Sequence, residues 1–409
     1  MKTFTKIYLE YEVKNNKKIN AVFLSWYFPK GSGGFTYRKK LLTLLSSLES
    51  IGRITVLTSD NELKKIQNSK IRVLILNDTI PKNPLSRFLK FLLFQFKTIL
   101  HLIKLSRDYS MVFVMAGNNF TFPVLFSKFI LKKKIVYLMS GVGGMSVWKL
   151  YSKNLLSRLV AILDELVLLI SDFIILESPG LKDTLKLDRY RGKVIQNGRM
   201  YVESEKMQYI TPFSKRATLV GYIGRLSPEK GIVNFIHGIL KIFNEPKRSS
   251  QCGFNVIIGG KGPLESKIRE LVIQQNDDIK MKIKILGYIP DNELINVLNK
   301  LRLLVFPSPI NSLDGLPNII LEAMACGTPV LATSTGAILD VIIDETTGFI
   351  MGSNSPGDIS RNIKRALMHP ELLKISKKGM ESIRKEFSFD SALRRWERII
   401  STYLGEGKW

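Results

Sequence analysis

The run Asp314-Gly-Leu-Pro-Asn-Ile-Ile-Leu-Glu322 sets two carboxylates eight residues apart across a Gly-Leu-Pro-Asn turn that opens a helix. The chain continues Ala-Met-Ala-Cys-Gly-Thr-Pro-Val330. A helix beginning near Pro317 presents free backbone N–H groups and the positive end of its dipole, a seat for an anion. Asp314 stands just before that end and Glu322 about one and a half turns inside it. Carboxylates do not bind an anion, but they grip hydroxyl groups on either side of one. The pair therefore fits a hydroxyl-rich anionic ligand, with the layout of ribose hydroxyls, diphosphate and sugar hydroxyls.

A second group carries the opposite charge. In Gly221-Tyr-Ile-Gly-Arg-Leu-Ser-Pro-Glu-Lys-Gly231, Arg225 ends a strand and Lys230 begins the following helix. Arg as a planar fork and Lys as a point charge can both reach a diphosphate and neutralise it as it leaves. Taken alone this is better read as a surface turn with two solvated cations; beside Asp314 and Glu322 the order reverses and the diphosphate reading is preferred. Gly259-Gly-Lys-Gly-Pro263 and Gly287-Tyr-Ile-Pro-Asp291 are two more strand-end turns, the second with a backbone suited to flank a base.

These groups need strands to hold them. Apolar runs at 19–25, 54–58, 71–76, 111–115 and 134–139 read as buried strands separated by helical segments, and 173–176 and 194–196 continue the series. After a polar stretch to Lys215 the alternation restarts, with strands at 218–223, 255–259, 282–286, 303–307 and 329–332. Two β/α series in tandem predict two doubly wound α/β domains with ligands at the strand carboxyl ends, facing a central cleft. The expected division is a polar extension 1–18, a first Rossmann-like domain 19–198, a second 199–386 and a terminal amphipathic helix within 387–409.

The composition bounds the setting. The chain has 409 residues, 45% hydrophobic, and a formal charge of +26. Residues 1–200 carry 33 Lys+Arg against 13 Asp+Glu, a net of +20, while 201–409 carry 28 against 22, a net of +6. That skew points the first half at something polyanionic. With only Cys252 and Cys326, neither a disulfide framework nor a Cys-based metal site is expected, and a reducing cytoplasmic location fits. Residues 1–18 lack the apolar core of a signal peptide, and no stretch is apolar enough to span a bilayer.

In their order, Gly224-Arg225-Leu-Ser-Pro-Glu-Lys230-Gly231, Gly260-Lys-Gly-Pro263, Gly287-Tyr-Ile-Pro290 and Asp314 through Glu322-Ala-Met-Ala-Cys-Gly-Thr-Pro329 resemble the retaining GT-B glycosyltransferases of family 4. The likeness covers the whole second domain and extends to Val194-Ile-Gln-Asn-Gly198 and Phe387-Ser-Phe389; in the first domain only Phe28-Pro29 and Gly33-Gly34 match. The resemblance implies a GT-B fold and transfer of a sugar from a nucleotide-sugar donor to a glycan or lipid-linked acceptor with retention. Neither metal nor cofactor is expected. It implies that Arg225 and Lys230 bind the diphosphate and Glu322 the ribose, with Gly262 and Ile289 lining the donor. Asp314, with the amides of Gly315, Leu316, Pro317 and Asn318 as the turn, would hold the transferred sugar. Gly33 and Gly34 would approach the phosphates or acceptor.

Two departures stand out. The family usually has Glu where this chain has Asp314, and often a His after the strand at 134–139, where this chain reads Met139-Ser140-Gly141. Either Ser140 or the glycine-rich backbone after it holds the sugar in place of that His, or the donor differs from the usual, or activity is reduced. The three histidines, His101, His237 and His369, fall elsewhere; His237 is expected to pack and the other two to lie at the surface.

Residues 84–107 form a further feature. At 100° per residue, Arg87, Lys90, Lys97, His101 and Lys104 share one arc of about 100°, with Phe88, Phe91, Leu92, Phe96, Ile99, Leu102 and Ile103 on the other side. This is the pattern of a helix in an anionic membrane interface, and equally of a helix packing an apolar face on the sheet; the charge skew favours the membrane. The rival readings are a soluble sugar or sugar-phosphate acceptor, a GT-B scaffold with impaired catalysis, and a nucleic-acid binder. No nucleic-acid partner is expected, because aromatics and basics are not interleaved for stacking.

Overall fold

The computed structural model describes residues 18–404 except 27–32, 77–83, 116–118, 141–154, 191, 204–205, 246–252 and 311–314. Asp314, Cys252, Phe28, Pro29 and Gly141 thus lie outside the described residues. Two compact units account for the chain: residues 1–177, 186–200 and 392–409 form the first, and 178–185 with 201–391 form the second.

The first unit is a seven-stranded parallel sheet in the order β3-β2-β1-β4-β5-β6-β7. Its strands are β1 (Ile19–Ser25), β2 (Ile51–Thr58), β3 (Ile71–Ile75), β4 (Met111–Met115), β5 (Lys134–Met139), β6 (Phe173–Leu176) and β7 (Val194–Ile195). The central strands are near-continuous apolar runs because helices cover both faces; Phe23, Leu24, Phe113, Val114 and Val136 are fully buried. On one face the helix Gly33–Ser47 buries Leu41, Leu42, Leu44 and Leu45 completely. Three other helices, Pro84–Lys104, Thr121–Phe129 and Leu155–Ile170, pack side by side in that order.

Pro84–Lys104 buries Phe94, Gln95, Thr98 and Leu102 and exposes Leu89, Leu92, Leu93, Phe96, Leu100 and Ile103. One side of the helix therefore packs within the first unit, and another leaves large apolar side chains facing solvent. The apolar set assigned to a single side is corrected: Leu102 is buried and Phe91 and Ile99 half-buried, while Leu92, Phe96 and Ile103 face solvent.

The second unit is a six-stranded parallel sheet in the order β10-β9-β8-β11-β12-β13. It comprises β8 (Leu219–Ile223), β9 (Asn255–Gly259), β10 (Ile283–Gly287), β11 (Leu303–Phe306), β12 (Val330–Thr333) and β13 (Phe349–Met351). Its core packs Val220, Val256, Ile258, Leu303, Val305 and Leu331 of the sheet against Phe235, Ile236, Ile239 and Ile359 of the flanking helices. Residues 178–185 go with this unit although the sequence division placed them in 19–198. Asp340 is the physical reason: its carboxylate accepts from the Ser178 hydroxyl and, at 2.8 Å, from the Gly180 N–H. At the other end, Phe389–Ile399 buries Trp396, and Glu397 accepts from the Ser50 N–H at 3.0 Å within the first unit.

Candidate functional site

In both sheets the strand order reverses between the first and fourth strands, β1/β4 and β8/β11. The carboxyl ends at such a reversal diverge and leave a crevice that the loops line. In the second unit the two loops concerned are those singled out above: β8 runs into Gly224-Arg225 and β11 into Pro307 and onward to Glu322.

Backbone bonds stitch these strand ends together. The Gly224 N–H donates to the Gly259 carbonyl at 3.0 Å, the Leu226 N–H to Lys261 at 3.0 Å, and the Leu264 N–H to Leu226 at 3.0 Å. The Gly260 N–H donates to the Gly287 carbonyl at 2.6 Å, tying β9 to β10. Two glycines are required by this approach. Gly260 has φ +129°, and a Cβ there would lie 1.8 Å from the Gly224 carbonyl oxygen. Gly231 has φ +68°, and its Cβ would lie 1.9 Å from the Pro307 oxygen, so the loop after β8 rests directly on the end of β11. Gly262 lies against Leu226 in the same way, and Ile289 covers Gly259.

Arg225 projects into solvent, its carbonyl held at 2.8 Å by the Tyr222 hydroxyl and its guanidinium a loose 3.9 Å from Glu229. Lys230 sets its ammonium 5.7 Å from the centre of the Phe306 ring at the end of β11. Pro317 caps the helix Asn318–Ala325, and Glu322, half-buried, sits in its second turn. Leu316 is buried, while Gly315, Pro317 and Asn318 are half-buried. Arg225, Lys230, Gly262, Ile289 and the turn Gly315–Asn318 with Glu322 are thus gathered on neighbouring strand ends of one sheet.

Gly33 and Gly34 open the helix Gly33–Ser47, and Ser140 directly follows β5, all in the first unit. Near them, Arg38 donates to the Trp26 carbonyl at 2.6 Å and the Ser25 hydroxyl at 3.1 Å, and pairs with Asp60, both side chains buried. Burial pulls the Arg38 guanidinium below its ordinary value, and the bond to Asp60 opposes that pull. Arg38 fixes the end of β1 and carried no sequence signal beyond its place in a helix.

Arg216 is a second residue missed in the sequence. Buried, it donates to the carbonyls of Cys326 at 2.7 Å, Leu301 at 3.1 Å and Gly327 at 3.3 Å, and to the Thr328 hydroxyl at 2.8 Å. It thereby holds the far end of the helix that carries Glu322, favouring its negative dipole end as well. The neighbouring Cys326 thiol is pushed up to about 12, chiefly by burial and further by Glu322, against an opposing pull from Arg216. His237 is exposed, not packed. Among the described residues there is no cluster of His, Cys, Asp and Glu that could hold a metal ion.

The two doubly wound parallel sheets, each with its reversal after the first strand, define the fold as GT-B. Within the second unit, residues 203–381 match the model of the glycosyl transferases group 1 family. An uncharacterised glycosyltransferase of Methanocaldococcus jannaschii is 28% identical over 44% of this chain and 44% of its own length. The capsular polysaccharide biosynthesis glycosyltransferase CapM of Staphylococcus aureus is 26% identical over 46% and 47%. These matches span less than half the length of the curated relatives. Over the whole fold, the crystal structure of Anabaena HepE in complex with UDP superimposes with TM-score 0.68 and 17% identity, covering 94% of this chain and 100% of that one.

Proposed function

We propose that the protein transfers a sugar from a nucleoside-diphosphate sugar to a glycan or lipid-linked acceptor, with retention at the anomeric carbon and without a metal or cofactor. The observation that carries the reading is the meeting of two strand ends: Gly231 lies on Pro307, so the loop of Arg225 and Lys230 rests on the end of the strand that leads to the helix of Glu322. The relatives include glycosyltransferases of capsule synthesis, and Anabaena HepE is described with UDP, which favours a uridine nucleotide and a cell-envelope product.

In this reading Arg225 and Lys230 take the diphosphate charge as the sugar C1–O bond breaks with its electron pair leaving on the nucleoside diphosphate. Glu322 accepts from the ribose hydroxyls, and the backbone beside Gly262 and Ile289 flanks the base. Asp314 and the turn Gly315–Asn318 orient the sugar, while Gly33, Gly34 and Ser140 serve the acceptor side. The acceptor oxygen bonds to C1 on the face the diphosphate leaves, and its proton passes to the departing phosphate oxygen. Asp, one methylene shorter than Glu, still accepts a sugar hydroxyl but at a shifted geometry, and a misplacement of about 1 Å is worth about 10²-fold in rate. The cytoplasm, or the cytoplasmic face of the membrane, supplies such donors.

The test is nucleotide release from a panel of UDP- and GDP-sugars, read for wild type, Glu322→Ala and Arg225→Ala. Release above background by wild type, falling by about 10²–10³-fold in Arg225→Ala, is expected. Equal release by wild type and Glu322→Ala overturns the proposal and leaves a catalytically impaired scaffold.

A further inference from the structure

Twelve of the 22 exposed large apolar side chains among the described residues lie on, or one residue beyond, three adjacent helices of the first unit. On Pro84–Lys104 they form one stripe running from Leu89 through Phe96 to Ile103. On the central helix, Phe122 and Phe129 are two turns apart on one side, with Ile130 following; Phe129 is 61% and Ile130 64% exposed. On Leu155–Ile170, Ile162, Leu166 and Leu169 recur at helical spacing. Each helix turns a different side inward, burying Phe94 and Leu102, Val124, and Val167 and Leu168 respectively. A soluble monomer rarely leaves so many large apolar groups on one face.

Charge says what covers it. Residues 79–170, which contain all three helices, hold 13 Lys+Arg and three acids: Asp108, the buried Asp164, and the half-buried Glu165, which pairs with Arg189. Lys97 and Lys104 are exposed on the flank of the first stripe, within an arc of about 40° beside it; Lys132 is exposed two residues beyond Ile130. An apolar face rimmed by cations and almost free of acids complements anionic headgroups over an acyl layer. It does not complement a second copy of itself, which would set like charges together. No helix among the described residues is long and apolar enough to cross a membrane.

We propose that the helices Pro84–Lys104, Thr121–Phe129 and Leu155–Ile170 together form a docking surface that lies in the interface of an anionic lipid bilayer. The buried side of the first helix then links the bilayer to the site-bearing end of the sheet. Phe94 stands 4.7 Å from Trp26, edge to face, directly after β1, and Gln95 donates to the Asn119 carbonyl at 2.6 Å after β4. Vesicle binding needs no nucleotide sugar, so its failure and a failure of sugar transfer are separate results.

The full chain is floated with vesicles of pure phosphatidylcholine and of phosphatidylcholine with phosphatidylglycerol. Wild type, Leu93→Ser/Phe96→Ser, Phe129→Ser/Ile130→Ser, and Lys97→Gln/Lys104→Gln/Lys132→Gln are compared, each with an unchanged melting temperature, since every site is exposed. Wild type partitions into the anionic vesicles and at least tenfold less into neutral ones. Each lysine removed lowers the partition by about fivefold, roughly a hundredfold for the three. Each apolar pair lowers it at least tenfold. Absence of wild-type binding to anionic vesicles overturns the proposal. So does binding that survives Phe129→Ser/Ile130→Ser, which would leave a single helix in contact. Concentration-dependent dimerisation abolished by the same variants, without vesicle binding, reassigns the face to self-association.

Discussion

Gly260→Ala is the sharpest test of how the donor loops are held. The substitution adds one methyl group that would lie 1.8 Å from the Gly224 carbonyl oxygen, whereas ordinary contact begins near 3.4 Å. The β8 loop must withdraw by about 1.6 Å, beyond hydrogen-bond reach; losing one charge-assisted bond, worth about 1.5–3 kcal/mol, raises the nucleotide Kd by up to about a hundredfold. Ala at φ +129° also carries strain of about 2 kcal/mol, or a loss of about 6 °C in Tm for a unit of this size. Thermal unfolding with and without UDP separates the two effects. At a hundred times the wild-type Kd, nucleotide stabilises wild type by about 2.7 kcal/mol, about 8 °C; the variant, near half-saturation, gains about 0.4 kcal/mol, about 1 °C. Gly253→Ala is the control, because its Cβ would meet nothing within 4 Å. If Gly260→Ala keeps the full UDP-induced shift while wild type binds, the close approach at Gly260 does not position the cations and the argument from stitched loops is wrong.

Arg38→Met strands the buried Asp60 carboxylate and costs about 3–5 kcal/mol in urea unfolding, most of it recovered in Arg38→Met/Asp60→Leu; an equal cost in single and double variants would refute the pairing. Cys326, buried and raised to about 12 from an ordinary 9.0, favours the folded state only as the neutral thiol. Its contribution is whole below about pH 9 and is lost as pH rises from about 9 toward 12. Between pH 8 and 10 wild type therefore loses on the order of 1 kcal/mol more than Cys326→Ala, measured by urea unfolding; parallel pH profiles would contradict the burial. Arg216→Met leaves the carbonyls of Leu301, Cys326 and Gly327 without this donor and is expected to lower Tm by several degrees and weaken UDP binding, whereas Arg225→Ala alters only the binding.

The architecture was legible because a strand buried on both faces cannot be polar: Ile19–Ser25, Met111–Met115 and Leu303–Phe306 announce themselves as apolar runs, and their alternation with helices leaves a parallel sheet as the economical solution. The donor loops were legible because close backbone approach leaves only glycine, and Gly231 and Gly260 are where that approach is tightest. Other features depend on partners far along the chain. Arg216 meets Leu301 and Thr328, 85 and 112 residues away, and Asp340 captures Ser178 across 162, so no local pattern marks either. The three-residue β13 is too short for periodicity.

The helix Pro84–Lys104 shows the deeper limit. Its apolar residues occupy nearly every direction, and Phe94 falls within the basic arc itself, so periodicity says nothing about which apolar side meets protein. Tertiary packing decides that, by seating Phe94 against Trp26 and Phe120 and burying Thr98 and Leu102. Once that side is spent on the sheet, Leu93, Phe96 and Leu100 still need a partner, and so do Phe129 and Ile130 on the helix beside them. In the membrane-docking proposal the sequence skew of +20 in residues 1–200 and the three-helix apolar face serve one surface, anionic with an apolar layer beneath it.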